Sequence, residues 1–600
     1  MLEKIEKPQD LKKLNKEELK KLPDEIRKVI IDVTKEKGGH LAGSLGVVEL
    51  TIALHYVFDS PKDKILWDVG HQAYAHKLLT GRYKNFHTLR TLNGISGFPH
   101  PEESEHDSFI AGHASNAISA ALGIATARDL NGENFKVIAV VGDGSLTGGM
   151  AYEGLNHAGH IQKDIIIILN DNQMFISKRV GALGTYLAKI FTLGLVKEIE
   201  KGVERTLSRI KFWGPKLLRL AKRIKVLLFP GMIFEEMGFA YFGPVDGHNL
   251  FKLIEILNGI KKLSGPILLH IITKKGKGYP PAEKTPEKFH GIGKKEGLTY
   301  TKVFSETLIE LAKKDNRICA ITAAMPEGTG LIEFQKHFPD RFFDVGIAEQ
   351  HAVTFSAGLA KQGLKPVCAI YSTFLQRAFD QIIHDVCILK LPVIFAIDRA
   401  GIVGEDGVTH QGIFDLSYLR LIPNIVVCAP KDGIELRNLL YSSFKYKKPV
   451  AIRYPRGKVD GIYEKKDFEF IPEGKGEIIE EGEDIALVGI GNTVYKIVNT
   501  GKKLKKEGFN PCIINMRFVK PLDKEILEKL KNFKIIFTFE ENTLKGGFGS
   551  AIREELQNFN GRIINFGLPD KFIEHGESNE LRKIYGLSEE KIYENVRRYL

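Results

Sequence analysis

Val137-Ile138-Ala139-Val140-Val141 runs into Gly142-Asp143-Gly144, and Ile165-Ile166-Ile167-Ile168-Leu169 runs into Asn170-Asp171-Asn172. Each apolar run reads as a strand buried in an α/β sheet, and each ends in polar oxygen ligands. The C-terminal edge of such strands is where ligands bind, and glycines there let the backbone approach a phosphate closely. Gly148, Gly149 and Met150 lead into a helical stretch at 151–158, whose first amides suit an anion. Asp143 and Asn172 offer one carboxylate and one amide oxygen. That is too little for a calcium cage. It suits magnesium, which completes its octahedron with water and a bound diphosphate.

The chain has 600 residues, 43% of them apolar and 27% charged, which is the balance of a large globular protein of several domains and excludes a disordered one. A net charge of +12 raises nucleic-acid binding as a function. The basic residues are, however, mixed with Asp and Glu, and neither zinc-finger spacing nor an aromatic RNA-binding motif occurs. A mildly basic surface favouring anionic metabolites is expected instead. Cys319, Cys368, Cys387, Cys428 and Cys512 are scattered and odd in number, mostly in apolar runs, so free thiols in a reducing compartment are expected. The charged start of the chain is unlike a signal peptide, and no apolar run is long enough to span a bilayer. The cytoplasm and no stable membrane association are therefore expected.

From the N-terminus, residues 8–34 read as two amphipathic helices and 47–57 as another. Strand 65–67 ends in Asp68-Val69-Gly70-His71-Gln72, and Gly112-His113-Ala114-Ser115 precedes a small-residue helix at 117–128. With His40 after Gly38-Gly39, histidines stand at several such turns. Residues 178–239 mix Lys and Arg with Leu, Ile and Phe; a basic amphipathic helix on an anionic membrane surface is one reading, and an insertion between two halves of the first domain that covers the active site is the preferred one. Strand 266–273 is followed by a Gly- and Pro-rich loop at 274–293 that contains Tyr279, Lys284 and His290. Beyond it come helix 303–313 and strand 317–322, then Glu349 between an apolar strand and a small-residue helix at 352–360. Strands at 393–398, 485–489, 511–515 and 534–540 follow. Gly546-Gly547-Phe548-Gly549 reads as a helix-start turn, since no lysine and hydroxyl pair follows as a P-loop needs.

The two halves of the 142–174 stretch resemble the diphosphate-anchoring signature of thiamine diphosphate enzymes. The runs at 371–379, 398–412 and 454–457 resemble the 1-deoxy-D-xylulose-5-phosphate synthase branch of that transketolase-like family, and the resemblance covers essentially the whole chain. It implies an α/β fold of three doubly wound domains. These are a diphosphate-binding domain at 1–293 with the basic insertion at about 178–239, a pyrimidine-binding domain at 294–458, a linker at 459–483 and a C-terminal domain at 484–600.

Residue by residue, the resemblance implies thiamine diphosphate with Mg2+ on Asp143, Asn172 and the Met174 carbonyl. His71, Gly112, His113, Ser115, Gly144, Ser145 and Lys284 would contact the cofactor. Ala114 stands where the family leads one to expect serine. Glu349 would hydrogen-bond the aminopyrimidine ring and so activate the cofactor, which calls for a buried carboxyl of raised pKa. Phe374 would stack on that ring, with Arg377 nearby. His40, His410, His71 and His290 are candidates for proton transfer. Tyr371, Arg399, Asp406 and Arg456 would join His40 and His410 around substrate, the two arginines on a phosphate.

The implied reaction is a decarboxylating condensation of pyruvate with D-glyceraldehyde 3-phosphate, catalysed by a homodimer. A transketolase-type ketol transfer, a non-catalytic cofactor-binding scaffold and a nucleic-acid binder are the alternatives.

Overall fold

The computed structural model describes residues 1–172, 182, 232–289 and 297–600. Most of the basic segment, together with Met174 and His290, lies outside the described residues. The chain divides into two compact units, one of Met1–Arg90 and Gly94–Lys294, the other of Thr91–Asn93 and Lys295–Leu600.

The first unit is built on strands β1 (Lys64–Trp67), β2 (Val137–Gly142), β3 (Ile165–Asp171), β4 (Ala240–Asp246) and β5 (Pro266–Ile272). They pair in the order β1-β2-β3-β5-β4, every pair parallel. Ile138, Val140, Ile166 and Ile168 face one apolar layer, while Val137, Ala139, Val141, Ile165, Ile167 and Leu169 face the other. Burial on both faces explains why these runs do not alternate with polar residues. Each of the buried Val, Ile and Leu side chains contributes roughly 1.5–3 kcal/mol.

The segment read as two helices at 8–34 is instead a 3-10 turn, Pro8–Lys13, and one long helix, Lys16–Lys37. The division falls at Asn15, whose side chain accepts from the Glu18 N–H at 3.0 Å while Glu18 accepts from the Asn15 N–H at 2.9 Å, a reciprocal cap that starts a new helix. The loop expected at 274–293 carries a short helix, Pro280–Lys284, and a 3-10 turn, Pro286–Phe289.

The second unit holds two sheets. One contains β6 (Ile318–Thr322), β7 (Phe342–Asp344), β8 (Lys365–Tyr371), β9 (Ile394–Asp398), β10 (Val426–Cys428) and β11 (Val450–Arg453). The other contains β12 (Glu477–Glu480), β13 (Ile485–Gly489), β14 (Pro511–Asn515), β16 (Ile535–Thr543) and β17 (Arg562–Leu568), in the order β12-β14-β13-β16-β17. Strand β15 (Phe518–Lys520) leaves the second of these sheets and pairs antiparallel with β10, at the edge of the first. The stretch read as a linker likewise supplies β12, an antiparallel edge strand on β14. Both exceptions lie at sheet edges, where antiparallel strands are commonly added to a parallel sheet. All other pairs are parallel.

All five cysteines are buried and free. Among the described residues no helix is long and apolar enough to cross a membrane.

Candidate active site

In the first unit, Gly142 pairs with Asn170 across β2 and β3, so the chain leaves both strands side by side. This brings two of the sequence-predicted ligands together: Asn172 Nδ2 donates to Asp143 Oδ1 at 3.3 Å. Thr273, just after β5, donates through Oγ1 to Asn170 Oδ1 at 2.6 Å and to Asn172 Oδ1 at 3.2 Å. Sequence reasoning passed over Thr273, whose only signal was its place at the end of a strand.

Asp68, after β1, is 1% exposed and accepts from the Ser115 N–H at 2.8 Å and the Ala117 N–H at 3.0 Å. It thereby fixes the start of helix Ala117–Leu130 and holds Ser115 in a left-handed conformation, φ 72°. The Ser115 hydroxyl donates to the Ser145 carbonyl at 2.7 Å, tying the turn at 112–115 to the turn at 142–145. Gly112, at φ 147°, and His113 stand within the first of these turns. Gly144 precedes the 3-10 turn Ser145–Thr147.

His40 opens helix Leu41–Gly46 and donates its backbone N–H to Tyr74 Oη at 3.1 Å. Its ring lies 6.1 Å from that of His71 and 5.2 Å from that of Phe98. His71 packs over Gly43, where a Cβ would come within 2.6 Å of the imidazole. Lys284 is exposed at the end of its helix. The lysine that feels the Asp143 carboxylate is Lys275: burial pushes its ammonium down, and Asp143 opposes that shift. Lys275 is anchored through its neighbour, since the Gly276 N–H donates to the Ala42 carbonyl at 2.8 Å.

In the second unit, Glu349 is the first residue of helix Glu349–Lys361 and is 2% exposed. Burial raises its pKa, and Arg377, whose Nη1 lies 3.7 Å from Oε2, acts in the opposite direction. Oε2 is buried without a hydrogen-bond partner among the described residues. Phe374 stacks on Tyr371, with centroids 5.7 Å apart, and meets His410 edge to face at 5.5 Å.

Tyr371 and Asp398 end the neighbouring strands β8 and β9 in register. The Arg399 guanidinium lies 3.7 Å over the Tyr371 ring and donates to the Gly328 carbonyl at 2.7 Å. Asp398 is fully buried, which pushes its carboxyl up, and it accepts from Thr301 Oγ1 at 2.8 Å. Arg456 reaches Glu405 at 3.6 Å and, with Arg399, acts electrostatically on both Tyr371 and Asp398. Asp406 and His410 flank the 3-10 turn Gly407–Thr409, where Thr409 Oγ1 lies 3.0 Å from His410 Nδ1. Gly328 and Thr301 carried no motif in the sequence.

Residues 2–273 match the family model described as 1-deoxy-D-xylulose-5-phosphate synthase, 296–461 the pyrimidine-binding domain of transketolase, and 474–592 the transketolase C-terminal domain. The 1-deoxy-D-xylulose-5-phosphate synthase of Dictyoglomus turgidum is 56% identical over 608 residues, covering 99% of this chain and 98% of its own. That of Carboxydothermus hydrogenoformans is 52% identical over 617 residues, covering 100% and 99%. That of Halothermothrix orenii is 53% identical over 615 residues, covering 99% and 97%. Identity of this extent, over the full length of both chains, leaves one conclusion: the chain belongs to the 1-deoxy-D-xylulose-5-phosphate synthase family.

Proposed function

We propose that this chain condenses pyruvate with D-glyceraldehyde 3-phosphate, with loss of carbon dioxide, to give 1-deoxy-D-xylulose 5-phosphate, the first step of non-mevalonate isoprenoid synthesis and a precursor supply for thiamine and pyridoxal. The observation that carries the reading is the full-length identity to synthases of that name. The Glu349 carboxyl, buried with one oxygen lacking a hydrogen bond, fits thiamine diphosphate, whose aminopyrimidine needs such a partner. When bound, that cofactor supplies a nucleophilic carbon and a sink for the electron pair left by decarboxylation.

The chain's own residues then divide the work. Asp143, Asn172 and the Met174 carbonyl would hold a magnesium ion that neutralises the charge of the diphosphate. His71, Gly112, His113, Ser115, Gly144 and Ser145 line the diphosphate, with Lys275 a better-placed cation than Lys284. Glu349, whose pKa burial raises, would hydrogen-bond the pyrimidine ring, and Phe374 would stack on that ring beside Arg377. His40 and His410, with His71 and His290, move protons at the substrate carbonyl oxygens. Arg399 and Arg456 take the aldehyde's phosphate, with Tyr371 and Asp406 beside them. Residues 1–293, 294–458 and 484–600 act as three domains of a cytoplasmic homodimer.

The test is product analysis of the full chain mixed with thiamine diphosphate, Mg2+, pyruvate and D-glyceraldehyde 3-phosphate. Equal amounts of carbon dioxide and 1-deoxy-D-xylulose 5-phosphate are expected. Ketol transfer without gas release would make the protein a transketolase, and no turnover by the loaded protein would leave a cofactor-binding scaffold.

A further inference from the structure

The loop that follows β9 carries Arg399, Asp406 and His410, and it is gripped from the other sheet of the same unit. Its neck is closed by reciprocal bonds between Gly401 and Gly412, at 2.6 and 2.8 Å. Just inside the neck, the Ile402 N–H donates to Glu541 Oε1 at 2.8 Å. Glu541 lies on β16 and is fully buried. Its other bonds come from Asn492 Nδ2 at 2.9 Å and from Arg582, at 2.8 Å to Oε2 and 3.0 Å to Oε1, and Lys496 Nζ lies 3.6 Å away. Burial pushes the Glu541 carboxyl up, but Arg582 and Lys496 outweigh it and hold the group ionised.

The fit at this point is tight. A Cβ on Gly401 would come within 2.6 Å of Glu541 Oε1. Arg453 reinforces the junction by donating to the Gly412 carbonyl and to the Glu541 carbonyl, each at 3.2 Å. A second, uncharged grip lies further along the loop. Gln411 Oε1 accepts from the Val403 N–H at 2.7 Å and the Gly404 N–H at 3.3 Å, while its Nε2 donates to the Glu574 carbonyl at 3.0 Å. Ile402 and Ile413 are packed with Leu568, Ile573, Leu581 and Leu587. Glycines at Gly401, Gly404 and Gly407, all at positive φ, give the loop a path that side chains would resist.

We propose that Glu541 is a positioning residue for the acceptor half of the reaction: from the third sheet it sets the conformation of the loop at 401–412 and so the placement of His410. The inference rests on the reading of His410 as a reacting group. An ionised, multiply bonded carboxylate is suited to this task because a charge-assisted bond to a backbone N–H is short, and the surrounding cations stop the carboxylate from turning away. Fixing a catalytic group through neighbours with few alternative rotamers is what makes small displacements costly in rate.

The test uses the full-length holoenzyme and two variants. Glu541→Gln removes the charge. Glu541→Asp keeps the charge but draws it back from the Ile402 N–H, so it decides the matter if Glu541→Gln does not fold. Either variant should lower kcat/KM for D-glyceraldehyde 3-phosphate by about 10- to 100-fold and speed amide hydrogen exchange across 402–404. Affinity for thiamine diphosphate and consumption of pyruvate in the absence of aldehyde should stay unchanged. In a His410→Ala background the same substitutions should cost little more, because the group they position is gone. Unchanged kcat/KM and exchange rates would overturn the proposal, as would equal losses in both backgrounds. Full activity of His410→Ala itself would instead overturn the assignment of His410, and the proposal with it.

Discussion

The Tyr371 hydroxyl occupies the space that a side chain on Gly328 would need, so a Cβ there would lie inside its van der Waals contact. The same Gly328 accepts from Arg399, whose guanidinium covers the Tyr371 ring. Gly328→Ala should therefore push the ring out from between Arg399 and Phe374. The expected result is a destabilisation of about 1–3 kcal/mol and a fall in kcat/KM for the phosphorylated aldehyde, measured by denaturant unfolding and steady-state kinetics. Wild-type kinetics would show that the contact is not used.

Glu349→Gln should still bind the diphosphate but lose roughly 100-fold or more in the exchange of the cofactor's C2 proton, as expected for loss of acid-base work. Its pH signature has a definite sign. Burial raises the folded-state pKa of Glu349, so the folded protein binds more protons than the unfolded chain as pH rises through the window above the ordinary carboxyl value. This group's contribution to stability is thus lost across that window. Cofactor-free Glu349→Gln should consequently melt above wild type at neutral pH, with the difference closing in acid. A variant that melts lower at neutral pH and higher in acid would have the sign reversed.

Arg399→Ala and Arg456→Ala should each cost about 10- to 100-fold in kcat/KM for D-glyceraldehyde 3-phosphate, as a hydrogen bond to a charged group is worth roughly 1.5–3 kcal/mol. Unphosphorylated D-glyceraldehyde is the control. Arg399 also packs on Tyr371, so some loss with the control is expected for that variant, whereas Arg456, paired with Glu405 at 3.6 Å, should leave it untouched. Equal losses for both aldehydes with Arg456→Ala would remove the phosphate assignment.

Asp143→Ala should abolish measurable binding of the cofactor with magnesium in calorimetry while the fold survives. Thr273→Val should weaken it by about 10- to 100-fold, the usual cost of losing a group that orients a ligand, because Thr273 orients both Asn170 and Asn172. Affinity unchanged in Thr273→Val would mean that the Asn172 amide needs no such support.

Much of this protein is written locally. The runs at 137–141 and 165–169 are apolar without alternation because both faces of β2 and β3 are covered, so five neighbouring residues suffice to announce each strand. Asp143 and Asn172 were legible for the same reason: each immediately follows a strand, and parallel neighbours in register deliver their ends together. Glu349 was singled out by the family resemblance, and the structure buries it at a helix start. What tertiary structure alone decided is held by bonds between distant parts of the chain. Asp68 fixes Ser115 from 47 residues away, and Glu541 holds Ile402 from 139. Lys275 feels the Asp143 carboxylate, and β15 crosses to the neighbouring sheet. A periodic pattern records only the environment of each side chain along its own element. Which carboxylate meets which amide depends on how the chain closes over tens of residues, and adjacent residues carry no imprint of that closure.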